Sequence, residues 1–391
     1  MRLTLLLVVC AAAVPAAEGI DPRVTKGFDH FYNLEYDQSI AEFRKLVSIE
    51  PANPNFHNHV AQAVLYREML RGGALESELV SGTNPFVGRE KLTTTPEAER
   101  EFNESISKAM EIANRKIQTN PNDAGALYAL GVAHGLRANY NFLVRKAWLD
   151  SLRDATAARK AHNRVVEVAP SHMDARLVQG LHDYIVGSLP FHIKVLGFVA
   201  GFRGDREAGI RTLQLVSEKG VMNRYDAQVL LAVIYRREKK PEQALPLLNG
   251  LIGRFPRNYL FRLETVQMYS DSGQKEPALA ALDKIEELKL SGASGFATLP
   301  LETIYYYRGN LLFWYQDTDA ALEQMKKATA SGANLDRHTS MMAWMRLGQL
   351  QDQKGRRQEA LAAYKRAVGV APESDVAKES RRYLSSPFKH K

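Results

Sequence analysis

The feature that most constrains this chain is a set of small, aromatic and proline positions that returns at a 34-residue period. Its clearest copy places Trp344, Leu347, Gly348, Gly355, Ala360, Tyr364, Ala367 and Pro372 at the spacing W-x2-L-G-x6-G-x4-A-x3-Y-x2-A-x4-P. Trp344, Leu347 and Gln351, three or four residues apart, share one face of a helix. The small side chains of Gly348 and Ala360 let a second, antiparallel helix come close. Pro372, which has no N–H to donate, ends that second helix. A further copy from Tyr225 to Asn258 sets Leu231, Ala232, Tyr235, Ala244, Leu248 and Pro256 at the same offsets. The next begins at Tyr259, with Tyr269, Gly273, Ala278 and Leu282 in register. Weaker copies carry Tyr305, Gly309, Ala321 and Ala328, then Gly27, Phe43 and Pro51, and Gly180, Ala208 and Thr212, while others close at Pro121 and Pro170. A helix pair of this kind cannot bury its apolar face alone, so units must stack into one continuous core.

These positions resemble the tetratricopeptide-repeat (TPR) family. The resemblance implies an all-α, right-handed solenoid of about eight helix pairs over residues 18–375, followed by a basic tail at 376–391. It also implies a scaffold that binds other proteins through its concave face. In such arrays the first helix of each pair lines that face, with contacts at its second, fifth, ninth, twelfth and thirteenth positions. The groove candidates are then Asn58, Gln62 and Tyr66, Tyr128, Tyr184, Arg236 and Arg237, and Tyr306, Asn310 and Trp314. Asn58, Gln62 and Tyr66 are spaced by four and form one polar stripe. Amide and phenol groups suit an extended peptide backbone, and two arginines suit a carboxylate. The family's chaperone-binding members clamp a terminal carboxylate with Lys and Asn. The equivalent positions here read Asn58 and Gln62, Tyr128 and Val132, or Val229 and Val233, which speaks against that clamp.

The proline marks also show where the repeat is broken. Pro51 to Pro121 spans 70 residues, Pro121 to Pro170 spans 49, and Pro170 to Pro256 spans 86. The excess over whole repeats falls between the first and second helix of three successive pairs, near 68–100, 137–152 and 187–204. Neighbouring insertions of this kind lie on one rim of a solenoid and mark a binding edge. The rim candidates are Asn84 and Phe86, then Asn139, Tyr140, Asn141 and Arg145, then Phe191, Lys194, Phe198 and Phe202. The third stretch, Leu189 to Phe202, is largely apolar and needs a cover. Packing on the other insertions supplies one, and a lipid interface is the alternative.

The first residues carry a single positive charge at Arg2, an apolar run from Leu3 to Val14, and small residues after it. That is the layout of a secretory signal, too short to span a bilayer, with cleavage expected near Ala16/Ala17. Residues 1–17 are therefore read as a signal peptide, and the protein as exported: periplasmic in a Gram-negative cell, otherwise secreted. Cys10, the one cysteine of the sequence, lies in this segment, which leaves the exported chain without a thiol or a disulfide. The net charge of +8 is spread along the chain rather than blocked, which favours an acidic protein or peptide partner and argues against nucleic acid. Neither HExxH, GxSxG, a Walker loop nor GxGxxG occurs, and His57 and His59 stand two apart, facing different sides of a helix. No catalytic, metal-binding or cofactor-binding residue is assigned.

Overall fold

The computed structural model describes residues 21–75, 91–189, 203–331 and 334–389. Residues 1–17, Cys10, Asn84, Phe86, Phe191, Lys194, Phe198 and Phe202 lie outside that set. Among the described residues there are seventeen α-helices and no strand. Eight hairpins follow one another. They are α1 (Pro22–Tyr32) with α2 (Tyr36–Ile49), α3 (Pro54–Arg71) with α4 (Pro96–Thr119), α5 (Ala124–Tyr140) with α6 (Trp148–Val168), and α7 (Arg176–Gly187) with α8 (Arg206–Lys219). Then come α9 (Arg224–Arg237) with α10 (Pro241–Arg254), α11 (Tyr259–Asp271) with α12 (Lys275–Leu290), α13 (Leu301–Trp314) with α14 (Thr318–Ala330), and α15 (Arg337–Gln353) with α16 (Arg357–Val370).

A final helix, α17 (Asp375–Ser385), occupies most of what was expected to be a tail. Ser374 caps it through the Ala377 amide at 3.0 Å, and Ala377 and Ser380 are buried against α16. The sequence of 376–391 is basic, but every third or fourth residue is small or aromatic, and that stripe gives the last hairpin a cover.

The helices start and pair for reasons written in their residues. Asn53, Thr95, Asp123, Asp205, Asn258 and Asp336 each accept a hydrogen bond from an amide in the first turn of the helix they open. Small residues set the closest approaches. A side chain on Gly348 would meet the Tyr364 ring at 2.5 Å, and one on Gly180 would lie 3.1 Å from the Gly209 carbonyl on the facing helix. One continuous apolar core runs from Val24 to Met268, and a second from Tyr259 to Ala363 takes over where it ends.

The solenoid closes on itself. The turn after α1 docks on the junction between α10 and α11, more than 220 residues further on. Asn258 Nδ2 donates to the Tyr32 carbonyl at 2.7 Å, and the Arg257 amide donates to Asn33 Oδ1 at 3.0 Å. The Arg257 guanidinium holds Glu35 and Asp29 at 2.8 Å each, and Arg254 adds a contact to Asp29 at 3.1 Å. Tyr32 packs its ring on Phe255 and Tyr225 at centroid distances of 4.8 and 5.5 Å. Apolar burial and charge pairing thus act on one joint. The array becomes a ring of five hairpins, with the later hairpins continuing beyond the join.

Candidate functional site

Closing the ring shapes its concave side into a half-open cavity of about 1470 Å³. Its wall is made chiefly by the first helix of each hairpin, at i, i+3/i+4 spacing. Phe28, Phe31 and Tyr32 come from α1, and His59, Gln62, Tyr66 and Met69 from α3. Tyr128, Val132 and Leu136 come from α5, Leu177, Leu181 and Ile185 from α7, Asp226, Val229, Leu230 and Val233 from α9, and Leu260, Leu263 and Glu264 from α11. The second helix α6 adds Leu152, Ala155, Arg159 and His162. A mostly aliphatic and aromatic wall with a few convergent polar groups is the ordinary make-up of a binding cavity.

The polar groups gather around Tyr128. Its ring lies 5.3 Å from that of His162 and 4.7 Å from that of His172. Burial holds the His162 imidazole down at about 4 and that of His59 at about 3, so both stay neutral at ordinary pH. Burial drives the phenol of Tyr66 above its ordinary range, and that of Tyr128 well above it. Asp226 has protein on every side yet keeps partial accessible surface, and that surface faces the cavity. Burial raises its carboxyl to about 6, a hydrogen bond from Tyr32 opposes this, and nearby Asp174 adds to it.

The sequence-derived groove residues divide three ways. Gln62, Tyr66 and Tyr128 line the cavity, as does Asn139 from the rim set. Several others are committed inside the protein. Asn58 Nδ2 donates to the Ala129 carbonyl at 2.8 Å and ties α3 to α5. Tyr184 donates to Glu238 at 2.8 Å, and burial with that bond lifts its phenol to about 12. Arg236, read as a hook for a partner's carboxylate, is buried and already paired with Asp271 at 2.7 Å and Glu264 at 3.5 Å. Tyr306 is buried, and Asn310 accepts from Arg346 at 3.0 Å. Arg237 and Trp314 are exposed and lie away from the cavity wall, with Arg346 over the Trp314 ring at 5.0 Å. Asp226, His59, His162, His172 and Asp174 line the cavity and were missed by the sequence reading. Asp226 was within reach of it: it is the second position of the repeat that opens at Tyr225, and Val229 and Val233 are the fifth and ninth.

Two of the three insertions meet. The Leu92 amide, at the end of the first, donates to the Leu143 carbonyl in the second at 2.9 Å, and both side chains are buried. The second insertion is a π-turn, Asn141–Arg145, ending in a left-handed Lys146. It is pinned by buried Asp154, which accepts from His134 at 2.8 Å, Asn141 at 3.0 Å, and Arg137 at 2.6 and 2.9 Å. Burial pushes the Asp154 carboxyl up, but the bonds from Arg137 and His134 outweigh it and hold it below its ordinary value. Tyr140, expected to be on the rim, instead stacks on Phe102 at 4.4 Å in the core, and Arg145 donates to Asn141 at 2.9 Å. What the rim does present is Trp148, Leu149 and Leu152, 42%, 71% and 49% exposed, with Leu152 at the cavity edge. The ends of the third insertion are brought together by glycines: a side chain on Gly204 would lie 2.7 Å from Val186 and 3.0 Å from the Gly187 amide. Among the described residues no group of three His, Cys, Asp or Glu could hold a metal ion, and no helix is long and apolar enough to cross a membrane.

Two family profiles, each described as tetratricopeptide repeat, match residues 226–258 and 343–374. Among solved structures, a chain of the APC/C hetero-tetramer Cut9–Hcn1 is similar at 11% identity and a TM-score of 0.50, over 92% of this chain and 54% of that one. This chain thus spans about half the length of that relative. Yeast Tom70 is similar at 12% identity and a TM-score of 0.44, covering 92% of this chain and 87% of that one. A human IFIT1 dimer with m7Gppp-AAAA is similar at 12% identity and 0.47, covering 94% and 86%. At these identities the likeness is one of fold alone. No curated protein matches.

Proposed function

This is a tetratricopeptide-repeat protein, and we propose that it is an exported adaptor that grips an apolar segment of a partner protein inside its ring. Chains built of such repeats are typically non-enzymatic scaffolds for protein–protein contact. The observation that carries the finer reading is the cavity: about 1470 Å³, walled by the first helices of successive hairpins, and apolar where an open groove would be polar. A cavity of this size exceeds the roughly 300–1,000 Å³ usual for small-molecule pockets and suits a stretch of polypeptide. Release of water from so much apolar surface supplies the driving force, at about 25 cal/mol per Å² removed from water. The exposed Trp148 and Leu149 on the rim, with Leu152 at the cavity edge, serve as a second contact for the same partner. Action outside the cytoplasm is supported by the signal-like residues 1–17.

Site-specific photocrosslinking in the native host tests this. A photoreactive phenylalanine in place of Tyr66 or Leu181 is expected to trap one defined partner. The same group at Ile49 or Leu290, which are exposed on second helices, is expected to trap none. Crosslinks from Ile49 or Leu290 alone would sink the proposal.

A further inference from the structure

The cavity wall holds two carboxylates with no cation to balance them. Asp226 Oδ1 accepts a hydrogen bond from the Tyr32 hydroxyl at 3.1 Å. Asp174 Oδ1 accepts from the Val221 and Asn223 amides at 2.9 Å each. Among the described residues neither carboxylate makes an ion pair. Two cations line the same cavity, but Arg159 is turned to His182 at 3.0 Å, and Lys219 lies exposed at the end of α8. Negative charge taken largely out of water and left without a partner is costly, and it persists where something else neutralises it.

A second observation points the same way. The rings of Tyr32, Tyr66 and Tyr128 line the same space, and the faces of such rings attract cations.

We propose that this wall is a binding site for an organic cation, an ammonium or guanidinium group carried on an apolar chain, seated against Asp226 and Asp174. The inference rests on the cavity reading above and names what the cavity selects: the partner's apolar segment carries a lysine or arginine that enters the ring. The excess positive charge of the whole chain concerns its outer surface. Inside, the sign is reversed.

The test is calorimetric titration of the full chain with n-octylammonium, 1-octanol and octanoate, on wild type and Asp226→Asn. At about pH 8, octylammonium is expected to bind at least about tenfold more tightly than octanol, the scale of one hydrogen-bonded charge pair. Asp226→Asn keeps the shape and the Tyr32 contact, and is expected to remove that preference while leaving octanol binding unchanged. Lowering the pH through about 6 should weaken octylammonium binding in wild type as Asp226 takes up a proton, and not in the variant. The groups facing Asp226 through this change are Asp174 and the phenols of Tyr32, Tyr36, Tyr66 and Tyr128. Burial drives these phenols above their ordinary range, so they stay neutral throughout it. Equal binding of octylammonium and octanol, or a preference that survives Asp226→Asn, overturns the cation site and leaves the apolar cavity standing. Binding of none of the three probes overturns both.

Discussion

Asp226 and Arg236 sit on the same helix, three turns apart, and had opposite fates in the reading of the sequence. Both occupy positions where repeats of this family touch ligands. Arginine drew attention because a guanidinium is a ready hook, yet its neighbours Asp271 and Glu264 had already engaged it. The aspartate looked ordinary, but among the described residues it makes no ion pair. One sequence shows which face a residue takes and not whether a neighbour has already satisfied it, because the satisfying residue comes from another hairpin. That is why Gln62, Tyr66 and Tyr128 were legible as groove residues, while Asn58, Tyr184 and Asn310 proved to be internal ties. The charge at Asp226 has a thermodynamic signature. Its carboxyl is raised in the folded state, so the ionised form destabilises the free protein. That cost is full above about pH 6 and vanishes below the unfolded value near 3.8. Asp226→Asn is expected to stabilise the unliganded protein at neutral pH by on the order of 2 kcal/mol. Urea titration of wild type and variant at about pH 8 and about pH 4.5 checks this, and a variant less stable than wild type at the higher pH refutes it.

The hairpin is the element that the sequence expresses best. Its length, its small-residue contacts and the proline after it follow from local packing, and counting between prolines points to three long turns. What local patterns do not reveal is what a long turn folds into. The second insertion becomes a π-turn because Asp154, from the following helix, gathers Asn141, His134 and Arg137 on one buried carboxylate. The sequence places these groups 13 to 20 residues apart, with nothing to mark them as one knot. Replacing Asp154 with Ala leaves the Arg137 guanidinium and the Asn141 amide without their acceptor. The expected cost is about 2 kcal/mol, the scale of lost hydrogen bonds to a charged group, because the part-exposed Arg137 can turn to water. Limited trypsin digestion reads the local part of that loss, through faster cleavage after Arg145 and Lys146. Unchanged cleavage there, alongside unchanged global stability, would show that the knot holds nothing.

At the scale of the whole molecule the join between α1 and the α10–α11 junction changes what kind of object this is. An open repeat array has contacts between neighbours only, so its ends fray first and its stability is a near-neighbour sum. Here Arg257, Asn258 and Phe255 cover the first hairpin, which makes both sides of the join parts of one cooperative unit. Native-state hydrogen exchange is expected to give α1 and α9 a common opening free energy, and α16 and α17 a lower one. Independent, easier opening of α1 would mean that the join adds no stability. No repeat pattern could have announced this contact. Periodicity describes steps along the array, whereas a join across more than 220 residues depends on the accumulated rotation between hairpins, which insertions alter.

The same join sets a schedule for making the protein. Asn258 lies 226 residues after its acceptor Tyr32, so at roughly 5–20 residues per second a ribosome needs roughly 10–45 s to deliver the second half of the contact after the first has emerged. Throughout that interval the aromatic side of the first hairpin has no lasting neighbour on its open flank, and the nascent chain exposes a sticky surface near its leading end. The protein is most vulnerable to misassociation while it is still being synthesised, at a stage when most of its hairpins could already be formed.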